Sequence, residues 1–277
     1  MNRRIKRENR GRVFGVSELE SAMQRAADAA VEDVLGATIT VLIDNNLAKP
    51  GLGNVWGLSF HVNVHYAGRD DIILFDMGGS PQVFRHNVKA LGLDLAETRA
   101  VVISHFHTDH YGAFETAMEH ISSKDCVTYL PASHAVLEEV ITNADGRFIV
   151  ADISEVVGSG ISTTSALGPK SLKEHGLVIN TAEKGIILLS GCAHPGVNRL
   201  ASKAQKIFPD SPFHAVIGGF HIKTREEGIE LAQKLAQMDV HFVAPCHCTS
   251  EAAKQAFREV FSERYWHIGT GTVLEIR

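Results

Sequence analysis

Residues 105–110 read His-Phe-His-Thr-Asp-His: three imidazoles and a carboxylate within six positions. Clustered histidine and aspartate are the nitrogen and oxygen donors that zinc and related divalent ions take. The hexapeptide follows the apolar run Ala-Val-Val-Ile-Ser at 100–104. His105 and His107 are two apart on extended chain, so they share a side and can reach one ion. Asp109 and His110 fall where the chain turns and point elsewhere, which suits a second ion. Gly112 would let the backbone bend close behind them. Three more histidines follow apolar runs: His194 in LLSGCAHPG, His221 in AVIGGFH and His247 in FVAPCHC. Each is expected at the end of a buried strand, where sheet proteins place their sites. Histidines without that setting read as ordinary polar or packing residues.

The elements that must position these residues can be read around them. TITVLID (38–44), GLSFHVNVHY (57–66) and DIILFD (71–76) read as strands. The second alternates and places Leu58, Phe60, Val62 and Val64 on one face. Further strands are expected at 100–104, 126–130 and 147–150, a hairpin from GLVINT and GIILLSG, then FHAVIGG, VHFVAP and TVLEIR. Ser80-Pro81 opens a helix to about Leu91-Gly92, and others are expected over 132–141, after Pro195, and from about Ser250. Thr224 and Glu227 form a capping box for a helix through about Gln237; Ser17 and Glu20 form another, for an amphipathic helix to Gly36. Hairpins mixed with strand–helix units predict an α/β fold of mixed sheets with helices packed outside.

The chain has 277 residues, 44% of them hydrophobic and 21% charged, enough for a sizeable core in one sheet-based domain. The expected division is a basic arm and amphipathic helix over 1–37, the first 16 residues solvated, and a catalytic domain over 38–277. A net charge of −5 offers no global field for a nucleic acid, which is not expected as a partner. No apolar stretch reaches membrane-span length. Four cysteines are too few for a disulfide framework, and the arginine-containing start lacks a signal-peptide core. Cytoplasmic localisation, a small-molecule substrate and room for a homo-oligomer are the resulting expectations.

HFHTDH resembles the H-x-H-x-D-H motif of the metallo-β-lactamase superfamily, and the resemblance runs from about residue 38 to the end. LFDMGG (74–79) is similar to that superfamily's upstream aspartate and glycines. GCAHPG, GGFH and PCHCT, with LIDNN and WGLSF, are similar to its dihydropterin-linked branch, named after a synthase of methanopterin biosynthesis. The resemblance implies a four-layer αββα sandwich with the metals at the edge between two mixed sheets. It implies that Asp76 orients ligands rather than binding an ion. The metal ligands are then His105, His107 and His194 at one ion and Asp109, His110 and His247 at the other. Two Zn²⁺ are expected, with Mn²⁺ or Fe²⁺ as alternatives. The chain departs from the pattern after Gly191, where Cys192 stands in place of a bridging aspartate; a thiolate there would favour zinc. Glu174 and His175 are the nearest candidates for an upstream ligand. Strand alternation puts Cys246 and Cys248 opposite His247, in packing roles.

A bound ion lowers the pKa of a coordinated water from about 15.7 towards about 7. The expected chemistry is hydrolysis of a small phosphoester, carboxyl ester or lactone by a metal-activated hydroxide. Asp109 would orient it, and His221 would bind substrate or protonate the leaving group. Gly218-Gly219 before His221 would leave room for a ligand. The alternatives are a dihydropterin-type synthase or transferase acting on a phosphorylated substrate, and a nuclease of the same fold. A di-iron oxidoreductase is disfavoured, because His107 stands where such proteins resemble H-x-E-x-D-H.

Overall fold

The computed structural model describes residues 12–13, 32–132 and 146–277. Strand β1 (Arg12–Val13) lies at one edge of an eight-stranded sheet. Its other members are β2 (Gly36–Ile43), β3 (Ser59–His65), β4 (Asp70–Phe75), β5 (Thr98–Val102), β6 (Val127–Pro131), β7 (Arg147–Ala151) and β14 (Val273–Ile276), in the order β1-β7-β6-β5-β4-β3-β2-β14. A six-stranded sheet holds β8 (Val156–Gly158), β9 (Ile161–Thr163), β10 (Leu177–Thr181), β11 (Gly185–Ser190), β12 (Phe213–Gly219) and β13 (Phe242–Cys246), ordered β13-β12-β11-β10-β9-β8. Both sheets are mixed. The first is antiparallel through β14, β2, β3 and β4 and parallel from β4 onward. The second is antiparallel up to β11 and parallel through β12 and β13.

Alternation divides the apolar residues of each strand between two spaces. Leu58, Phe60, Val62 and Val64 share the inter-sheet core with Phe75, Val102, Leu189, Ile217 and Ala244. The opposite residues, such as Leu74 and Val101, pack under helices α1 (Pro81–Leu91) and α3 (Phe114–His120). A one-turn helix α2 (Thr108–Tyr111) lies between those two in the chain. On the far side, Leu188, Val216 and Val243 pack under α4 (Val197–Ile207), α5 (Arg225–Gln237) and α6 (Glu251–Phe261). Three apolar layers therefore separate four layers of secondary structure, the expected αββα order. Full burial of a side chain such as Phe60 contributes roughly 1.5–3 kcal/mol, so the inter-sheet core is a strong clamp between the sheets.

The helix starts follow their caps. Ser80 Oγ accepts from the Val83 N–H with Pro81 in the first turn, and Gly92 closes α1 with φ of 66°. Thr224 and Glu227 make both bonds of the capping box. Ser250 Oγ accepts from the Ala253 N–H.

Three expectations need correction or fall elsewhere. The helix expected over 17–36 does not reach Gly36: Val34 bridges Thr181 and Gly36 already opens β2. Its residues before 32, and the helix expected over 132–141 apart from Ala132, lie outside the described residues. Within the arm expected to be solvated, Arg12–Val13 pair in parallel with Arg147 and Phe148. Strands β8 and β9 were not expected; at three residues each they are too short to show a period.

Candidate metal centre

The parallel strands of both sheets end at one edge, and the clustered side chains leave from those ends. Beyond β5 come Ser104 and His105, both fully buried. His107 then stands before α2, whose single turn carries Asp109 and His110 in a new direction. That turn is pinned by the Met77 N–H to the His110 carbonyl at 2.7 Å and the Leu58 N–H to the Asp109 carbonyl at 3.2 Å. Gly112 is in right-handed helical conformation, so it is not needed for a bend. Its constraint is space: a Cβ there would lie 2.6 Å from the Thr108 carbonyl oxygen.

Contacts at Nδ1 orient His105, His110, His194 and His247. His105 Nδ1 meets Ser104 Oγ at 2.9 Å, and that hydroxyl donates to Asp76 Oδ2 at 2.7 Å. His110 Nδ1 donates to the same Asp76 oxygen at 2.7 Å. Fully buried Asp76 thus holds two site histidines through its contacts. His194 Nδ1 donates to Glu174 Oε2 at 2.9 Å. The same carboxylate accepts the N–H groups of Cys192, Ala193 and His194 at 2.6 to 2.8 Å. His247 Nδ1 lies 3.1 Å from Asn45 Oδ1, and its N–H donates to Asp44 Oδ1 at 2.8 Å.

The free ends converge as two groups. Donor atoms of His105, His107 and His194 lie within 4.8 Å of one another, and so do those of Asp109, His110 and His247. His105 Nε2 is 3.1 Å from His107 Nδ1. Asp109 Oδ2 is 3.3 Å from His247 Nε2 and 3.7 Å from His110 Nε2. Cys192 Sγ sits between the groups, 3.3 Å from His110 Nε2 and within 4.8 Å of donor atoms of both His105 and His110.

These donors fit divalent ions. Buried His247 Nε2 faces Asp109 Oδ2 at 3.3 Å yet makes no aligned hydrogen bond, a loss of about 1–3 kcal/mol that a coordinated ion would remove. His105 and His110 are also held in the neutral form that binds metal. Burial, then the neighbouring His110, pushes His105 well below its ordinary pKa. Burial, then His247, brings His110 down to about 3. Burial pushes the Asp109 carboxyl up, but His247 and His110 outweigh it and hold it below the usual carboxylate range.

His221 follows β12 with φ of 49°, is exposed, and sets its ring 4.5 Å from that of His194 at a tilt of 43°. Its hydrogen bond with Cys248 raises its pKa. His194 and His221 border a cavity of about 240 Å³ with Phe220, Ile222 and Leu231 on its apolar wall. The space above Gly219 is not open to a ligand, contrary to expectation. A Cβ there would lie 2.3 Å from the Gly191 carbonyl oxygen and 2.7 Å from Cys248 Sγ.

Glu174 and His175 part company. Glu174 anchors the 192–194 turn, whereas buried His175 Nε2 meets the Ile103 carbonyl at 2.9 Å, away from the donor groups. Cys246 packs in the inter-sheet core as expected. Cys248 does not follow alternation. His247 has φ of 47°, which reverses the chain and brings Cys248 Sγ to 3.3 Å from the His221 nitrogen and 3.6 Å from the Cys192 carbonyl oxygen. Asp76, Ala193, His221 and His247 are four non-glycine residues with positive φ gathered at this edge.

The family model of the metallo-beta-lactamase superfamily matches residues 59–247. A 7,8-dihydropterin-6-methyl-4-(beta-D-ribofuranosyl)-aminobenzene-5'-phosphate synthase of Methanocaldococcus jannaschii is 27% identical over 263 residues, covering 79% of this chain and 89% of that protein. Among solved structures, Tm1679, described as a metal-dependent hydrolase of the beta-lactamase superfamily, is similar with a TM-score of 0.66 and 25% identity, over 86% of this chain and 98% of that one. A diphosphatase of the PhnP family has a TM-score of 0.55 at 12% identity, over 87% of this chain and 98% of that one, and shares the fold.

Proposed function

We propose, for a chain that belongs to the metallo-beta-lactamase superfamily, hydrolysis of a small phosphoester, carboxyl ester or lactone at a two-ion centre. The observation that carries this reading is the convergence of two donor groups at one edge, with His247 Nε2 of the second group buried and making no hydrogen bond. His105, His107 and His194 would hold one ion and Asp109, His110 and His247 the other; Zn²⁺ suits this set, and Mn²⁺ or Fe²⁺ could serve. When bound, the ions supply a hydroxide at neutral pH and polarise the attacked oxygen. Asp76 and Glu174 engage Nδ1 of His110 and His194, which would leave Nε2 of each available to an ion. Asp109 would orient the nucleophile. His221, beside the cavity and with a raised pKa, contacts the substrate or hands a proton to the leaving group.

A cavity of about 240 Å³ favours a small substrate, and a net charge of −5 disfavours a nucleic acid. The catalytic unit is taken as 38–277, with 1–37 accessory to it and the cytoplasm as its compartment. Among the described residues no helix is long and apolar enough to cross a membrane. Likeness to the metal-dependent hydrolase Tm1679 supports hydrolysis. A second reading, a synthase or transferase acting on a phosphorylated pterin-pathway substrate, is favoured by likeness to the Methanocaldococcus jannaschii synthase over most of both chains.

The test is a screen of Zn²⁺- and Mn²⁺-reconstituted protein against phosphodiester, phosphomonoester, lactone and thioester substrates, beside phosphorylated pterin-pathway compounds. Turnover in a phosphoester or lactone arm, lost in His107→Ala, is the expected result. Silence in all four hydrolytic arms with turnover of the pterin compounds would replace hydrolysis by the second reading.

A further inference from the structure

The reversal at His247 leaves one side chain unused by the reading above. Cys248 enters the site from the end of β13, and Cys192 enters from the end of β11. Both are free thiols. The two segments meet over Gly219. A Cβ on that residue would lie 2.7 Å from Cys248 Sγ and 3.2 Å from Cys192 Cα, so any larger residue would hold the cysteines apart. Donor atoms of Cys192, His247 and Cys248 lie within 4.8 Å of one another. The buried His247 Nε2, which makes no hydrogen bond, points to a ligand at this place independently of the sulfurs.

We propose that Cys248 is a metal ligand that acts with Cys192, so the ion at His247 sits in a two-sulfur set and must be soft or borderline. This rests on the two-ion reading above. Two thiolates beside imidazole suit Zn²⁺, Cd²⁺ or Co²⁺ and discriminate against Mg²⁺ and Ca²⁺, which take oxygen ligands. The sulfur pair also explains how the site does without a carboxylate after Gly191: negative charge arrives from two thiolates on two different strand ends. Cys246, two residues earlier, has no part in it, because it is sealed in the inter-sheet core.

The experiment loads wild type, Cys248→Ser, Cys192→Ser and the double variant with Co²⁺. It reads bound cobalt per chain by elemental analysis and the sulfur-to-cobalt charge-transfer band in the near ultraviolet. The band is expected in wild type, reduced to about half in each single variant and gone in the double variant. A band of undiminished intensity in Cys248→Ser, with cobalt still bound, overturns the proposal. Fewer than two cobalt ions per wild-type chain with the band present would instead sink the two-ion reading and leave the sulfur pair standing. Serine is smaller than cysteine and can accept from the His221 N–H, which favours retention of the fold. A wild-type arm needs no variant. Alkylation mapped by mass spectrometry should modify half-buried Cys248 in chelated protein and spare it after Cd²⁺ is added, and modification of Cys248 in the Cd²⁺ form overturns the proposal.

Discussion

Glu174 directs both carboxylate oxygens at residues 192–194 and accepts three backbone N–H groups and the His194 ring. It is fully buried, so its charge is balanced by these donors rather than by water. Glu174→Gln keeps the shape but turns one acceptor into a donor facing N–H groups. Stability should fall by about 3 kcal/mol in denaturant unfolding of the chelated protein. Zn²⁺ affinity measured by chelator competition should fall about 10–100-fold, because His194 loses its fixed tautomer. Unchanged affinity would remove Glu174 from the account of the site. The site's imidazoles were legible in the sequence because residue type and strand-end position coincide. Glu174 was legible only as a candidate ligand, since an anchoring carboxylate depends on burial and on partners 18 to 20 residues away. Cys248 was misplaced for a different reason. Alternation holds only while the chain stays extended, and His247 leaves that region.

At the scale of elements, long alternating strands and capped helices were readable, because a period and a cap are local properties. β8 and β9 carry too few residues for either, and the order of strands within each sheet is set by non-local pairing. The close joining of β11 and β12 at the site depends on Gly219. Gly219→Ala would press its methyl group against the Gly191 carbonyl oxygen, and a backbone atom has little freedom to yield. A cost of about 1–3 kcal/mol in thermal or denaturant unfolding is expected. Loss of bound Zn²⁺ should accompany it, since Cys192 and Cys248 meet at that point. A variant with wild-type stability and zinc content would show that this contact is slack.

For the whole molecule, the arrangement means that neither sheet owns a complete donor group. The first sheet supplies His105, His107, Asp109 and His110 from beyond β5. The second supplies His194 and His247 from beyond β11 and β13. The inter-sheet core sets the distance between these halves, and bound ions would tie the same two sheets together at the edge. That edge was predictable from the histidines alone. The pairing of particular residues across the sheets required the fold. The central claim is that each ion draws on both sheets, and metal content measures it directly. Elemental analysis of zinc-loaded wild type, His107→Ala and His247→Ala is predicted to give two ions per chain, then one in each variant. Two ions in both variants, or none in wild type, would contradict it.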